Sequence, residues 1–377
     1  MTGANQKSFL KDRIYVCHTY YHVYVACLKE LNARDGRGAT LVLSRMSNDF
    51  GNLKERAEKS GIFEEVVEFD EKDYTYFPEL VELKKDRGNL VRNMFQRMKF
   101  CKRLGELEAP FVPVDFREYQ DIYVFCDSDP IGYYLSYKKI YYHAVEDGLD
   151  CIRYRDTARD DNRGAFPLKA WMAGRGLIFI QNGYGRYCLD MEVNDLSVLD
   201  HPMGKMIENN REALVRGLME EDRARLVSMF IENKATLDAV LERAKSRRLP
   251  VILILTEPLC QDLAVREQLF RDMIEEYGFV EENGEKKRGV IVIKPHPRDL
   301  LDYQKAFPEE LVLDAHFPME ILNFIGAEFD RVVTVYTVPS SIHCAREKVY
   351  LGNDWMDRYE DPSMHRSVTN AAKKITA

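Results

Sequence analysis

Two runs of apolar, largely β-branched residues constrain this chain more than any other feature: Val251-Ile252-Leu253-Ile254-Leu255 and Val290-Ile291-Val292-Ile293. Neither alternates polar with apolar. A strand without a polar face is buried on both sides, as in a parallel sheet covered by helices. Each run stops abruptly, the first at Thr256-Glu257-Pro258 and the second at Lys294-Pro295-His296-Pro297-Arg298. Proline fixes its own φ and restricts the residue before it. His296 therefore sits in a stiff, extended segment just past the carboxyl end of a strand, where open α/β sheets bind ligands. An imidazole between Lys294 and Arg298 suits a phosphate group. On these residues alone, a rigid strand exit whose histidine caps a helix fits equally well.

The same alternation runs through the first half. Strands are predicted over 13–17, 39–43, 65–69, 121–125 and 139–143, with helices after the first two, the βαβαβ mark of a doubly wound sheet. Thr19 is placed to cap the first helix. His18 and His22 are four apart, but neither a third ligand nor an H-E-x-x-H pattern accompanies them, so they read as a polar lining at the first strand exit and not as a metal site. The predicted strand over 139–143 leads to Glu146-Asp147-Gly148, an acid pair beside a glycine able to turn sharply. Such a pair can supply a general base or simply form a surface turn. Asn182-Gly183-Tyr184-Gly185 reads as a plain turn.

Residues 78–104 are predicted to be one long helical region. From 84 to 103 it carries eight basic residues and one acid, with Leu90, Val91, Met94, Phe95, Met98 and Cys101 at helical spacing. It is either a core-packed helix with a solvated basic face or a contact for an anionic membrane. The stretch 207–245 is charged and helical. At 377 residues the chain exceeds one ordinary core. Its expected organisation is an N-terminal domain over 1–205, a helical connector over 206–248 and a C-terminal domain over 249–377. In the second half Glu320 falls in the first turn of a helix begun by Pro318, and Ser340-Ser341 follow a strand over 331–335. Serines at a helix N-terminus can cap it and bind an anion together.

Composition narrows the function. A net charge of −8 argues against a general nucleic-acid binder. The eight cysteines form no C-x-x-C and suit buried thiols in a reducing cytosol. Residues 1–13 lack the apolar core of a signal peptide, and no run approaches the length of a membrane span. A cytoplasmic protein, at most peripheral on the inner face of the membrane, is expected. No G-x-x-x-x-G-K-[ST] loop is present, which counts against an NTPase.

Glu146-Asp147-Gly148, His296-Pro297 and Ser340-Ser341, in that order, resemble three short motifs shared by bacterial sialyltransferases. Further segments resemble the lipooligosaccharide sialyltransferases of glycosyltransferase family 52: Cys17-His18-Thr19-Tyr20-Tyr21-His22, Thr256-Glu257-Pro258-Leu259, Lys294-Pro295-His296-Pro297-Arg298 and Pro318-Met319-Glu320. The resemblance spans about residues 13 to 350. It implies a GT-B fold, two Rossmann-like domains with the active site in the cleft between them. It also implies CMP-sialic acid as donor, inversion at the anomeric carbon, and no cofactor or metal.

Carried over, His296 contacts or protonates the departing phosphate, Ser340 and Ser341 hydrogen-bond it, and Glu320 holds the nucleoside. Lys294, Pro297 and Arg298 complete the donor side. His18, Tyr21 and His22 form the acceptor side. The general base is an acid at 146–147 or Asp262. Thr256-Glu257-Pro258 stands where the family pattern has Thr-Gln-Pro, and the turn before the second apolar run is extended; both bear on the transfer around Asp262. A transferase using another nucleotide sugar, such as CMP-Kdo, or a non-catalytic nucleotide or glycan binder fits the same motifs. As a transferase the chain is expected to meet a nucleotide-sugar donor and a glycan acceptor, and a homodimer is compatible with the sequence.

Overall fold

The computed structural model describes residues 11–148, 152, 164–199, 202–282, 284–337 and 341–365. The chain forms two compact units, Met1–Met219 and Glu220–Ala377. The division falls inside 206–248, the stretch assigned above to a connector.

The first unit is built on β1 (Lys11–Cys17), β2 (Ala39–Ser44), β3 (Glu65–Phe69), β4 (Tyr119–Phe125), β5 (Tyr142–Val145), β6 (Cys188–Val193) and β7 (Met206–Glu208). They lie in the order β3-β2-β1-β4-β5-β6-β7, each pair parallel. The connecting helices are α1 (Tyr20–Ala33), α2 (Leu53–Ser60), α3 (Pro78–Leu83), α4 (Leu90–Glu108), α5 (Pro130–Lys138), α6 (Phe166–Gly174) and α7 (Arg211–Arg216). Every residue of β2 and the last five of β1 are buried, as the central strands of a doubly covered sheet must be. Ile14, Val16, Val42, Val124 and Ile131 form the centre of one core, and Phe100, Leu104, Tyr133 and Phe179 that of a second.

The second unit holds α8 (Glu220–Phe230), α9 (Lys234–Ser246), β8 (Val251–Leu255), α10 (Leu263–Tyr277), the hairpin β9 (Phe279–Glu282) and β10 (Glu285–Arg288), β11 (Val290–Lys294), α11 (Tyr303–Ala306), β12 (Leu311–Val312), β13 (Phe329–Thr334), β14 (Ala345–Tyr350) and α12 (Gly352–Met356). Its main sheet runs β12-β11-β8-β13-β14, again all parallel. Both apolar runs of the sequence are central here. Ile252, Ile254, Ile291 and Ile293 pack with Phe270, Met273 and Val333.

Several expectations shift for local reasons. The region 78–104 is two helices, because Lys84 ends α3, Gly88 has φ +67° and Asn89 caps α4 through Val91 and Arg92 N–H. The strand expected over 139–143 starts at Tyr142, because Lys139 adopts φ +57° and closes α5. The extended turn before the second apolar run is largely the β9–β10 hairpin. Strands β6, β7 and β14 carry charged residues toward the sheet edges, where one-sided burial suffices, and so lack an apolar run.

Both sheets reverse direction once, between β1 and β4 and between β8 and β13. Ligands of open α/β sheets bind at the carboxyl ends flanking such a reversal. The β4 exit is tightly packed: a Cβ on Gly132, in the first turn of α5, would stand 1.9 Å from the Asp127 carbonyl oxygen. Among the described residues no helix is long and apolar enough to cross a membrane.

Candidate active site

Polar side chains gather at the strand exits of each unit. In the first, β1 ends at His18 and Thr19 caps α1, its hydroxyl accepting from His22 N–H at 3.2 Å. That cap sets His22 one turn into the helix, facing back over the sheet. Its Nδ1 accepts the His18 backbone N–H at 3.0 Å, so the proton of the neutral ring is on Nε2, which donates to Asp147 Oδ1. The ring stacks on Phe125 with centroids 4.9 Å apart. Burial keeps His22 below its ordinary pKa, against the pull of Asp147. Burial also works to raise the Asp147 carboxyl, but the His22 bond and the charge of His18 hold it below its usual range. The pair is therefore a neutral imidazole donating to a carboxylate.

His18 differs. Its Nε2 lies 2.7 Å from Glu71 Oε2 and 3.5 Å from Asp129 Oδ2. Burial alone would discharge it; the two carboxylates prevail and raise it to about 9. Glu71 also accepts from Ser44 Oγ at 2.5 Å and from Ile131 N–H at 2.7 Å. Asp127 accepts from Tyr142 OH at 2.9 Å and from Asn182 N–H at 2.8 Å, and burial raises its carboxyl to about 6. The Asn182-Gly183 turn thus points an amide at a carboxylate. Gly148 turns sharply, as the sequence suggested, with φ +111°. The acid pair before it is split. Glu146 is buried and its carboxyl raised by burial, whereas Asp147 keeps its side chain about 31% exposed. Tyr21 is half-buried beside Tyr24.

In the second unit the exits of β8, β11 and β13 are tied together. His296 N–H donates to Thr256 Oγ1 at 3.0 Å, and His296 Nδ1 accepts Arg298 N–H at 3.1 Å. The neutral ring therefore carries its proton on Nε2. Burial, with Arg298 and Lys294 nearby, lowers its pKa to about 4. His296 and Pro297 are half-buried, and Arg298 is exposed.

Lys294 is turned inward. Its Nζ donates to the carbonyls of Pro295 at 2.7 Å and Ala315 at 3.0 Å and sits 4.3 Å from the centre of the Phe317 ring. Burial lowers it to about 7, against the pull of Asp314 and Glu320. Glu320 lies in the first turn of a short 3-10 helix, Met319–Phe324, and burial raises its carboxyl. Ser341 accepts from Asn323 Nδ2 at 3.0 Å through its carbonyl; Ser340 lies outside the described residues.

Asp262 caps α10, its Oδ1 accepting from Ala264 N–H at 2.8 Å and Val265 N–H at 3.4 Å, and its side chain is exposed. Four residues on, Arg266 is buried. It donates to the Leu259 and Cys260 carbonyls and to Asp299 Oδ1. Asp299 also accepts from Tyr303 OH at 2.8 Å. This one guanidinium fixes the turn bearing Asp262 to the segment bearing His296.

Glu257 fixes the third exit. It accepts from Thr337 Oγ1 at 2.6 Å and from Tyr336 N–H at 2.9 Å. Burial raises its carboxyl although those bonds oppose it. Glu257→Ala is expected to orphan these hydrogen-bond donors, at a cost of about 1–3 kcal/mol of stability. Glu257→Gln keeps one acceptor oxygen and should retain most of that stability. Thermal unfolding of the two variants checks this.

Glu71, Asp127, Asp129, Glu257, Arg266 and Asp299 were not singled out from sequence as site residues. Most share one readable signal: each acid, like His18 and His296, lies within a few residues of the end of an apolar run. Among the described residues no group of three His, Cys, Asp or Glu side chains is arranged to hold a metal ion.

Two Rossmann-like doubly wound units with polar strand exits define the GT-B class of glycosyltransferases. Residues 62–345 match the family described as glycosyltransferase family 52, and the chain belongs to that family. A solved structure with a similar fold is the alpha/beta-galactoside alpha-2,3-sialyltransferase of the luminous marine bacterium Photobacterium phosphoreum. It has a TM-score of 0.50 and 11% identity, over 90% of each chain. A Haemophilus influenzae protein, described as uncharacterized, is 31% identical over 101 residues, covering 26% of this chain and 30% of that protein. The chain thus spans under a third of that relative's length.

Proposed function

We propose that the protein is an inverting, metal-independent sialyltransferase. It moves sialic acid from CMP-sialic acid to a hydroxyl of a terminal sugar, often galactose, on a bacterial surface glycan such as lipooligosaccharide or capsule. The observation that carries this reading is His296. Its Nδ1 is committed to Arg298 N–H and its Nε2–H is left to donate, at a strand exit beside the sheet reversal.

In this reading the donor lies at the strand exits of the second unit, and the bond from the anomeric carbon to the phosphate oxygen breaks with its electron pair going to phosphate. Donors aimed at that growing charge stabilise the transition state. His296 Nε2–H, Arg298, Ser340 and Ser341 supply them, and Glu320 holds the nucleoside. Lys294 supports the segment from below. CMP departs already ionised, so hydrogen-bond donors can meet its charge. The acceptor oxygen attacks from the opposite face, and its proton goes to a carboxylate.

We assign that proton to Asp262, because Arg266 locks its turn to the His296 segment within one unit. Asp147, held ionised by His22 and by the charge of His18, then serves the acceptor side as a fixed hydrogen-bond acceptor, with Tyr21 on the same side. A second reading makes Asp147 the base, favoured by the imidazole–carboxylate geometry itself. The protein acts in the cytoplasm, peripheral on the inner face of the membrane through residues 84–103, and a homodimer is compatible with this.

Incubation with CMP-sialic acid and a lactose-type acceptor should yield sialoside, and CMP should raise the Tm. If CMP-Kdo alone is turned over, the donor assignment is wrong and the transferase reading stands. If CMP binds but no donor in a nucleotide-sugar panel is consumed, the protein is a binder. If no cytidine nucleotide shifts the Tm, the donor-site reading falls as a whole.

A further inference from the structure

The helix α4 is divided along its length. Its second half is core, with Phe100, Cys101 and Leu104 buried. Its first half leaves Leu90, Val91 and Phe95 exposed at 53%, 62% and 61%. Val91, Phe95, Lys99 and Lys102 recur at spacings of four, four and three, so they share one face. All four are exposed, as is Arg92 beside them. An apolar tip flanked by basic residues is what an interfacial helix presents to a bilayer.

The charges on this face are not used internally. Lys85 and Arg87 pair with Glu82, and Arg103 pairs with Glu79 and Glu106. Arg92, Lys99 and Lys102 have no carboxylate partner among the described residues. A groove of about 560 Å³ continues the face, bordered by Phe95, Met98, Lys99, Lys102, Lys139 and Leu177. Leu177 is itself 40% exposed. The chain as a whole carries −8. A local cationic face on an acidic protein selects both the surface approached and the orientation of approach.

We infer that the Val91–Phe95–Lys99–Lys102 face of α4, with the adjoining groove, is a docking surface for an anionic lipid bilayer. Val91 and Phe95 enter the headgroup boundary, and Arg92, Lys99 and Lys102 meet lipid phosphates. This rests on the peripheral placement proposed above and is separate from the donor chemistry, since none of these residues lies at a strand exit; loss of vesicle binding alone would leave the transferase reading intact.

Co-sedimentation of the full chain with vesicles of phosphatidylcholine, with and without phosphatidylglycerol, tests it. The expected result is pelleting with the anionic vesicles only, weakened by salt. Val91→Ser with Phe95→Ser, and separately Lys99→Gln with Lys102→Gln, should each weaken partition about tenfold. Neither pair should change the Tm or turnover of a soluble acceptor. Equal pelleting with neutral vesicles, or variants that pellet like the parent, overturns the inference. So does sedimentation velocity showing a dimer that Phe95→Ser dissociates while no vesicle binding is found; the face would then cover a second copy of the chain.

Discussion

His296→Ala is expected to lower kcat by about two to three orders of magnitude, the usual loss when one donor to a developing charge is removed. The fold should survive, because the segment is held from elsewhere. Its backbone N–H is bonded to Thr256, and Asp299 is anchored by Arg266 and Tyr303. Asparagine separates the two functions of the ring. Its side-chain oxygen can accept Arg298 N–H as Nδ1 does, but it puts no donor where Nε2 stands. His296→Asn should therefore keep the local turn and still lose turnover. Glutamine is longer and can bring an amide N–H toward the Nε2 position, so partial recovery is expected with His296→Gln. Steady-state kinetics with CMP-sialic acid, together with thermal unfolding, distinguish these outcomes. Full turnover in His296→Asn would remove His296 from the leaving-group chemistry. It would leave the segment a rigid strand exit and no more.

The elements legible in the sequence were those in which one physical signal dominates. Val251–Leu255 and Val290–Lys294 are buried on both faces, and nothing but a central parallel strand explains such runs. Thr19 was readable as a cap because hydroxyl capping is local. Local chemistry also explains what was displaced. Lys139 takes a left-handed conformation, which is uncommon for lysine, and this moves the start of β5 to Tyr142.

The partnerships were not legible. His22 and Asp147 are 125 residues apart, and only the order of β1, β4 and β5 in the sheet brings their exits together. Glu71 reaches His18 from β3, 53 positions away. Arg266 looks like an ordinary helical arginine in sequence, yet it is buried and ties two strand exits. Lys294 illustrates the converse. Its place before Pro-His-Pro suggested a phosphate ligand, but it ends a buried strand, and its ammonium must bond to carbonyls inside the protein.

The identity of the base is decided by a pair of isosteric changes. Asparagine is as good an N-cap as aspartate, so Asp262→Asn should leave α10 and the Arg266 tether intact. It removes only the capacity to take a proton. Loss of a general base costs about 10²- to 10⁴-fold, and we expect kcat to fall in that range with little change in KM for either substrate. Asp147→Asn can still accept from His22 Nε2–H, so the ring stays oriented while the negative charge disappears. On the acceptor-side assignment it should raise the acceptor KM about tenfold, equivalent to about 1.4 kcal/mol, and leave kcat within a few-fold.

The reverse pattern, with kcat lost in Asp147→Asn and retained in Asp262→Asn, would make Asp147 the base. His22 would then be its orienting partner. In that case His22→Phe, which keeps an aromatic ring against Phe125 but offers no N–H, should reproduce the kcat loss of Asp147→Asn. On the Asp262 assignment the same variant should shift only the acceptor KM. The two outcomes differ in which kinetic constant moves, so a residual structural effect of either substitution, visible as a lower Tm, does not mimic the result.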